Sequence, residues 1–208
     1  MKRLIDYGYL KSPDLIAAFK KVPRHRFIAE DLRDNAYVDQ PLPTGKGQTI
    51  SAPSMIAIML EVLDLKPGQK ILEIGAGSGY NAALIAEVIG PNGKLYTIER
   101  IKEIAKVGKE NLEKTGYKNV KILIGDGTLG YKRAAPWDRI IVTACSPEVP
   151  KTLISQLKIG GKLAAPVGRN YMGQVLVTVE RESYKKNNIE RYGGCSFVPL
   201  IGKHGWKE

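Results

Sequence analysis

Residues 71–80 read Ile-Leu-Glu-Ile-Gly-Ala-Gly-Ser-Gly-Tyr, and the rest of the chain is organised around them. Ile71, Leu72 and Ile74 form a short apolar run of the kind that makes a buried strand, bounded upstream by the turn pair Pro67-Gly68. Glycine then recurs at every second position, Gly75, Gly77 and Gly79. Such a turn lets the backbone take positive φ or approach another group closely. After Tyr80 the run Asn-Ala-Ala-Leu-Ile-Ala-Glu-Val-Ile carries helical spacing. Strand, glycine turn and helix make the first unit of a nucleotide-binding α/β domain. In that unit the ligand lies beyond the carboxyl end of the strand, against the helix N-terminus.

The dinucleotide fingerprint G-x-G-x-x-G needs its third glycine at the sixth position. Here that position is Tyr80, and the third glycine comes one residue early, at Gly79. Glu73, two residues ahead of Gly75, suits a cation better than a pyrophosphate. Both features disfavour a dehydrogenase. S-adenosylmethionine carries an ammonium and a sulfonium, and the Glu-x-Gly-x-Gly-x-Gly run resembles the first motif of the Rossmann-like methyltransferases.

The chain has 208 residues, 43% of them hydrophobic, and a formal net charge of +11. That length fits one domain with enough apolar residues for a core. No apolar run reaches membrane-spanning length, and Asp6 and Lys11 interrupt any signal-like stretch after Met1-Lys2-Arg3. Cys145 and Cys195 are too few for a disulfide framework; they read as small buried residues of a reduced, cytoplasmic protein. No metal-ligand spacing joins them to His25 or His204, so no metal is expected. The charge favours anionic partners, either nucleic acid or carboxylate-bearing polypeptide. The lysines are scattered, however, and the Lys185-Lys186 pair falls in a polar turn.

Ser12 and Pro13 open a helix as N-cap and first helical residue, with Leu15, Ile16 and Phe19 on its apolar face and Pro23 beyond its end. Residues 41–53, Pro-Leu-Pro-Thr-Gly-Lys-Gly-Gln-Thr-Ile-Ser-Ala-Pro, are too rich in Pro and Gly for regular structure and read as a long loop. A helix over 53–63 follows, with Met55, Ile56, Met59, Leu60 and Leu63 on one face. The hydroxyls of Thr49 and Ser51 fall beside its N-terminus, where N–H groups attract anions. On local sequence alone Ser51 reads as the cap of that helix.

A second strand runs from Lys94 to Ile98 and ends in Glu99. Glu99 stands about where an acidic residue, roughly 20 positions past the first glycine, accepts hydrogen bonds from ribose hydroxyls. A helix over 101–115 follows, with Ile101, Ile104, Ala105, Val107, Gly108 and Leu112 leaning inward and Gly116 as its stop. The strand Val120–Ile124 runs into Gly125-Asp126-Gly127. Asp126 then shares a rim with Gly75 and Glu99, placed either to accept from an adenine amino group or to make an Asp-Gly turn. Asp138–Thr143 is nearly continuous in apolar residues, as a fully covered parallel strand should be. A helix over about 150–157 and a Gly160-Gly161 turn lead to a strand at Lys162–Val167. Two alternating runs, Gln174–Glu180 and Ile189–Pro199, flank the polar 181–188 and read as an antiparallel pair.

The expected fold is α/β and Rossmann-like, with a mostly parallel, doubly wound sheet and a C-terminal antiparallel strand pair. It is expected to form one domain over 1–208. Within it, 1–63 is an N-terminal helical and loop extension on the substrate side, 64–168 the cofactor-binding core, and 169–208 the C-terminal strands.

Further motifs resemble one methyltransferase family. They are Ala18-Phe19, Val22-Pro23-Arg24-His25, Ala36-Tyr37, Asp39, Pro41-Leu42-Pro43, Gly47-Gln48-Thr49-Ile50-Ser51-Ala52-Pro53, Gly125-Asp126-Gly127, Gln156-Leu157, Gly160-Gly161-Lys162-Leu163, Pro166-Val167-Gly168 and Phe197-Val198-Pro199-Leu200. Together they resemble the protein-L-isoaspartate (D-aspartate) O-methyltransferase family over nearly the whole chain. The Gln-Thr-Ile-Ser-Ala-Pro block is far more specific than the glycine turn. Ser196 departs from the pattern, since many relatives have a basic residue there.

The resemblance implies methyl transfer from S-adenosyl-L-methionine, leaving S-adenosyl-L-homocysteine, to the free α-carboxylate of isoaspartyl residues in damaged proteins and peptides. It marks Ser51 as the catalytic residue. It implies a cofactor set of Thr49, Ile50, Glu73, Gly75, Gly77, Gly79, Glu99, Arg100, Asp126 and Gly127, and substrate contacts at Asp39, Pro41, Leu42, Phe197 and Val198. It also implies a cytoplasmic monomer acting on polypeptides, with no nucleic-acid or membrane partner. The chemistry suits the residues. A carboxylic acid of pKa about 3.9 is ionised near neutrality and needs no general base, so positioning and water exclusion can carry the reaction.

A nucleic-acid methyltransferase is the main alternative, on the +11 charge. Adenine N-methylation usually comes with Asn/Asp-Pro-Pro-aromatic after the fourth strand, where this chain has Ala144-Cys145-Ser146-Pro147. Cytosine C5 methylation uses a Pro-Cys nucleophile, and here Cys145 follows an alanine. A non-enzymatic S-adenosylmethionine-binding module is the third reading.

Overall fold

The computed structural model describes residues 1–169 and 172–207. Its first part holds α1 (Lys2–Asp6), α2 (Pro13–Lys21), short 3-10 turns at Arg24–Phe27 and Glu30–Asn35, a hairpin of β1 (Leu42–Gly45) and β2 (Gln48–Ile50), and α3 (Pro53–Leu63). Then come β3 (Lys70–Ile74), α4 (Tyr80–Ile89), β4 (Lys94–Glu99), α5 (Lys102–Thr115) and β5 (Val120–Ile124). The chain continues through β6 (Trp137–Val142), α6 (Lys151–Ser155), β7 (Leu157–Arg169), β8 (Met172–Arg181) and β9 (Asn187–Cys195).

The main sheet has the order β5-β4-β3-β6-β7-β8-β9. Strands β3 to β7 pair in parallel, and β8 and β9 add antiparallel to β7. From β3 the chain builds outward through β4 and β5, then returns to the other side of β3 with β6. The direction of winding therefore reverses between β3 and β6, and a crevice opens there beyond the carboxyl ends of the strands.

Alternation along the strands feeds two cores. Ile71 belongs to the core that includes Phe19, Leu60 and Ile85 of α2, α3 and α4, while Leu72 and Ile74 belong to the one that includes Trp137, Leu153 and Leu163. Both faces of the parallel strands are covered, which is why they read as continuous apolar runs. The α/β reading and the C-terminal antiparallel strands match this architecture, and α3 and β5 have the bounds expected of them. Gly116 ends α5 in the left-handed conformation.

Four local expectations need correction. Residues 41–53 are not an irregular loop: β1 and β2 pair antiparallel, Leu42 opposite Ile50. The buried Leu42 and Ile50 pin the open end, and the glycines that argued against structure make the turn, with Gly45 and Gly47 at positive φ. Val107 on α5 is 42% exposed rather than inward. Gly160-Gly161 does not precede β7 but lies within it as a bulge, since Trp137 pairs with Leu157 whereas Arg139 pairs with Lys162. Finally, β9 ends at Cys195 and residues 197–200 leave the sheet. They cross its carboxyl edge, where Cys145 N–H donates to Val198 O (2.8 Å) and Leu200 N–H to Cys145 O (2.7 Å). Pro199 has no N–H to continue a ladder.

Candidate active site

A cleft of about 320 Å³ lies at the β3/β6 switch point. Its floor is the glycine turn. Gly75 has φ +96°, and a Cβ there would collide with Thr143 Oγ1. Thr143 in turn donates from its hydroxyl to Ile74 O and Gly75 O, both at 3.0 Å, fastening the end of β6 to the turn. Gly77 also lines the cleft. Gly79 does not: it is the N-cap of α4 at φ +84°, and its missing Cβ makes room for Gly108 O of α5, which would lie at 2.9 Å. Its glycine serves helix packing.

Glu99 and Arg100 form one side of the cleft, Gly127 another. The Glu99 carboxylate is fixed from behind, Oε2 accepting from Gly77 N–H and Oε1 from Ile101 N–H, each at 3.1 Å. Asp126 is held elsewhere. Its Oδ1 accepts from Thr128 N–H (2.8 Å) and the Thr128 hydroxyl (2.6 Å), and its Oδ2 from Lys203 N–H (2.8 Å). Burial alone would raise the Asp126 carboxyl, but these donors hold it below its ordinary value. Asp126 thus makes the turn read from its Asp-Gly neighbourhood and also ties down the C-terminal segment. That segment covers the cleft with Val198, Pro199, Leu200 and Ile201. Trp206 Nε1–H donates to Cys145 O (3.0 Å) and anchors its far end.

Ser51 lines a small side pocket with Ile50, Ile56 and Asn81. Thr49, Gly75, Gly77 and Thr143 are walls of both this pocket and the main cleft. Ser51 is not a helix cap. The N-cap of α3 is Ala52, with no side-chain bond, and the exposed Asp39 instead accepts from Ser54 N–H at 2.8 Å. The Ser51 hydroxyl has no hydrogen bond to the described residues. Ser12 does occupy the N-cap of α2 ahead of Pro13, as its sequence suggests, but its hydroxyl donates to Glu61 Oε2 at 2.6 Å rather than serving the helix. Pro41 is exposed beside Asp39, whereas Leu42 and Phe197 are buried in the core. Phe197 is clamped by Gln174, which accepts from its N–H (2.7 Å) and donates to its carbonyl (3.0 Å).

Glu73 lies behind the turn, fully buried, and does not line the cleft. It points to the helix side, where Asn81 Nδ2–H donates to its Oε1 at 2.7 Å. Burial pushes its carboxyl up to about 7; Asn81 and its cross-strand neighbour Thr97 pull the other way without cancelling the rise. Thr97 lacks hydrogen-bond geometry, so Glu73 Oε2, Thr97 Oγ1 and Asn81 Oδ1 are all buried without partners.

Several lining residues were not anticipated: Gly47, Gln48, Asn81, Thr143, Ala144 and Pro199 to Ile201. Thr143 and Ala144 could have been found, because they follow the strand beside the glycine turn. Asn81 sits in the first turn of α4, just past the glycine turn, and could have been found in the same way; the others arrive through the hairpin and the C-terminal crossing, neither of which local pattern reveals. Among the described residues no three His, Cys, Asp or Glu are grouped to hold a metal ion.

A parallel sheet with a switch-point cleft, a glycine turn and an acidic residue ending the adjacent strand define a Rossmann-like methyltransferase fold. A solved chain from Plasmodium falciparum, described as a protein-L-isoaspartate O-methyltransferase in complex with S-adenosyl-L-homocysteine, superposes with a TM-score of 0.86 at 27% identity. The match covers 96% of this chain and 95% of that one. The particular family follows from sequence. The family model for protein-L-isoaspartate(D-aspartate) O-methyltransferase matches residues 1–205. A protein-L-isoaspartate O-methyltransferase of Methanopyrus kandleri is 55% identical, over 100% of this chain and 92% of its own. One of Methanothermobacter thermautotrophicus is 52% identical, over 98% and 94%. This chain belongs to the protein-L-isoaspartate (D-aspartate) O-methyltransferase family.

Proposed function

We propose that this protein methylates the free α-carboxylate of L-isoaspartyl residues in polypeptides, with S-adenosyl-L-methionine as donor. The observation that carries this reading is the Ser51 pocket, which shares walls with the cofactor cleft in a chain that matches its family almost end to end. The cleft fits the donor. Its volume is in the range of small-molecule sites, Ile98, Ile101 and Leu200 offer apolar surface to a purine, and Glu99 is an immobilised acceptor for ribose hydroxyls.

When bound, S-adenosyl-L-methionine supplies a methyl group made electrophilic by its sulfonium. Glu99 would accept from the ribose with the lone pairs left over from Gly77 and Ile101. Gly75 and Gly77 would let the backbone approach the cofactor closely, and Thr49, Ile50, Arg100 and Gly127 would help to hold it. The Ser51 hydroxyl donates to the acceptor carboxylate and turns its nucleophilic oxygen toward the cleft. That carboxylate is already ionised near neutrality, so no residue acts as general base. The ester formed then loses methanol as the neighbouring amide nitrogen attacks. The succinimide that results opens with water to aspartate or isoaspartate.

In this reading residues 1–63 supply the acceptor side, 64–168 the cofactor core and 169–208 the closing strands of one domain. Asp39 and Pro41 face the polypeptide, Glu73 supports the site through Asn81, and Asp126 holds the C-terminal cover. Polypeptide rather than nucleic acid is favoured because Ala144-Cys145-Ser146-Pro147 lacks either nucleobase motif. The unpaired Cys145 and Cys195 favour a reducing, cytoplasmic setting, and the protein acts as a monomer with no membrane partner. Among the described residues no helix is long and apolar enough to cross a membrane. The test is to follow an isoaspartyl peptide by mass spectrometry with the enzyme and S-adenosyl-L-methionine. The expected course is ester, then succinimide, then growing aspartyl peptide. Recovery of unmodified isoaspartyl peptide would refute it.

A further inference from the structure

A second cavity, of about 540 Å³, lies between the N-terminal residues, the 34–39 segment and the start of α3. Its walls include four aromatic rings, Tyr7, Phe19, Tyr37 and Tyr80, and one buried cation, Arg24. Arg24 is 1% exposed, and its guanidinium carbon sits 5.2 Å from the Tyr80 ring centroid. Nε–H donates to Ala36 O at 2.9 Å, but Nη1 and Nη2 have no partner. Burial pulls its pKa down to about 10, so it remains charged at neutral pH. A buried guanidinium with two unsatisfied amino groups is costly, and such groups normally have a partner.

The cations at the cavity outnumber the carboxylates by one. Lys2 and Arg3 join Arg24 at the cavity, against the carboxylates of Asp34 and Asp39. Asp39 is already engaged by Ser54 N–H. No carboxylate among the described residues lies within ion-pair distance of Arg24.

We propose that this cavity binds a carboxylate carried on an aromatic or apolar body, with the Nη1 and Nη2 groups of Arg24 as its anion-binding element. A guanidinium presents its N–H groups as a planar fork that matches a carboxylate bidentately, and the four rings accept the apolar remainder. The Nη atoms are shielded as the chain stands, so binding needs the cavity wall around them to give way. Two sources share this chemistry. Asp39 and Pro53 join the cavity to the start of α3, just after Ser51, so the carboxylate can belong to a flanking part of a bound polypeptide. It can equally belong to a free small acid. Only the polypeptide source rests on the function proposed above.

The direct test is calorimetry of the cofactor-free protein with phenylacetate, and with phenylacetamide as its uncharged counterpart. Wild type is expected to bind phenylacetate at least about tenfold more tightly than the amide, since charge-assisted bonds are the stronger ones. Arg24→Met should lose that preference. Val38→Trp, which adds bulk at the cavity wall from an exposed position and leaves the Arg24 charge in place, should lose binding while keeping the wild-type melting temperature, so the test survives if Arg24→Met does not fold. No binding to wild type, or equal binding to wild type and Val38→Trp, overturns the proposal. The source is read separately, from methyl transfer with phenylacetate present. Competition against an isoaspartyl peptide identifies a polypeptide group, and inhibition or activation independent of peptide concentration identifies a free acid. Because binding is read without turnover, a protein that binds phenylacetate yet methylates nothing would refute the methylation reading and leave this one standing.

Discussion

Glu73→Gln separates a structural carboxyl from a cofactor contact, and its size follows from the burial of the site. Glu73 is fully buried, and its pKa rises from 4.5 to about 7. At about 1.4 kcal/mol for each tenfold change in proton affinity, a rise of this size is on the order of 3 kcal/mol. The sign follows from proton counts. Below about pH 4.5 both folded and unfolded states hold the proton and nothing is lost. Between about pH 4.5 and 7 the unfolded state releases it while the folded state keeps it, so stability falls as pH rises. Above about pH 7 the buried carboxylate is ionised and the loss is complete. A neutral glutamine at this position would avoid that loss. Its carbonyl can accept from Asn81 Nδ2–H, and its amide can donate to Asn81 Oδ1 or Thr97 Oγ1, both now unpartnered. Urea unfolding of the cofactor-free proteins should give similar stabilities at about pH 4.5 and a variant more stable by about 3 kcal/mol at about pH 8. In a chain of this size that is about 6–12 °C in Tm. The reasoning fails if the two proteins show the same pH dependence, or if the variant is the less stable at about pH 8.

Glu99→Ala should lower affinity for S-adenosyl-L-homocysteine about ten- to hundredfold by calorimetry, because it removes a charged acceptor from the cleft wall. Gly75→Ala meets both a positive φ and the Thr143 hydroxyl, and should weaken the same binding at least about tenfold; wild-type affinity would show that the turn yields. Ser51→Ala should slow single-turnover methyl transfer about ten- to hundredfold while keeping the wild-type melting temperature, since Ala52 is the N-cap. A lower melting temperature with an unchanged rate would return Ser51 to a structural role.

The central strands were legible because both faces of the sheet are covered, so burial writes itself into continuous runs such as Ile140, Ile141 and Val142. Their carboxyl-end residues Gly75, Gly77 and Glu99 were legible for the same reason, since position along a strand fixes the rim. The β1/β2 hairpin was hidden because its strands are short and are stabilised by Leu42 and Ile50 packing on distant residues. Glu73 was misplaced because strand alternation faces it toward Asn81 on α4, while the motif alone suggests a ligand. The Asp126 clamp on Lys203 and the crossing of 197–200 depend on contacts between residues far apart in sequence. No local period reports them.

The central claim is methyl transfer to an isoaspartyl carboxylate, and it is tested most directly with two synthetic peptides that differ only in carrying isoaspartate or aspartate at one position. Labelled methyl transfer from S-adenosyl-L-methionine by the wild-type protein is measured on both in parallel. The account predicts incorporation into the isoaspartyl peptide and none above background into the aspartyl one. Equal incorporation into the two, or incorporation into neither, would contradict it.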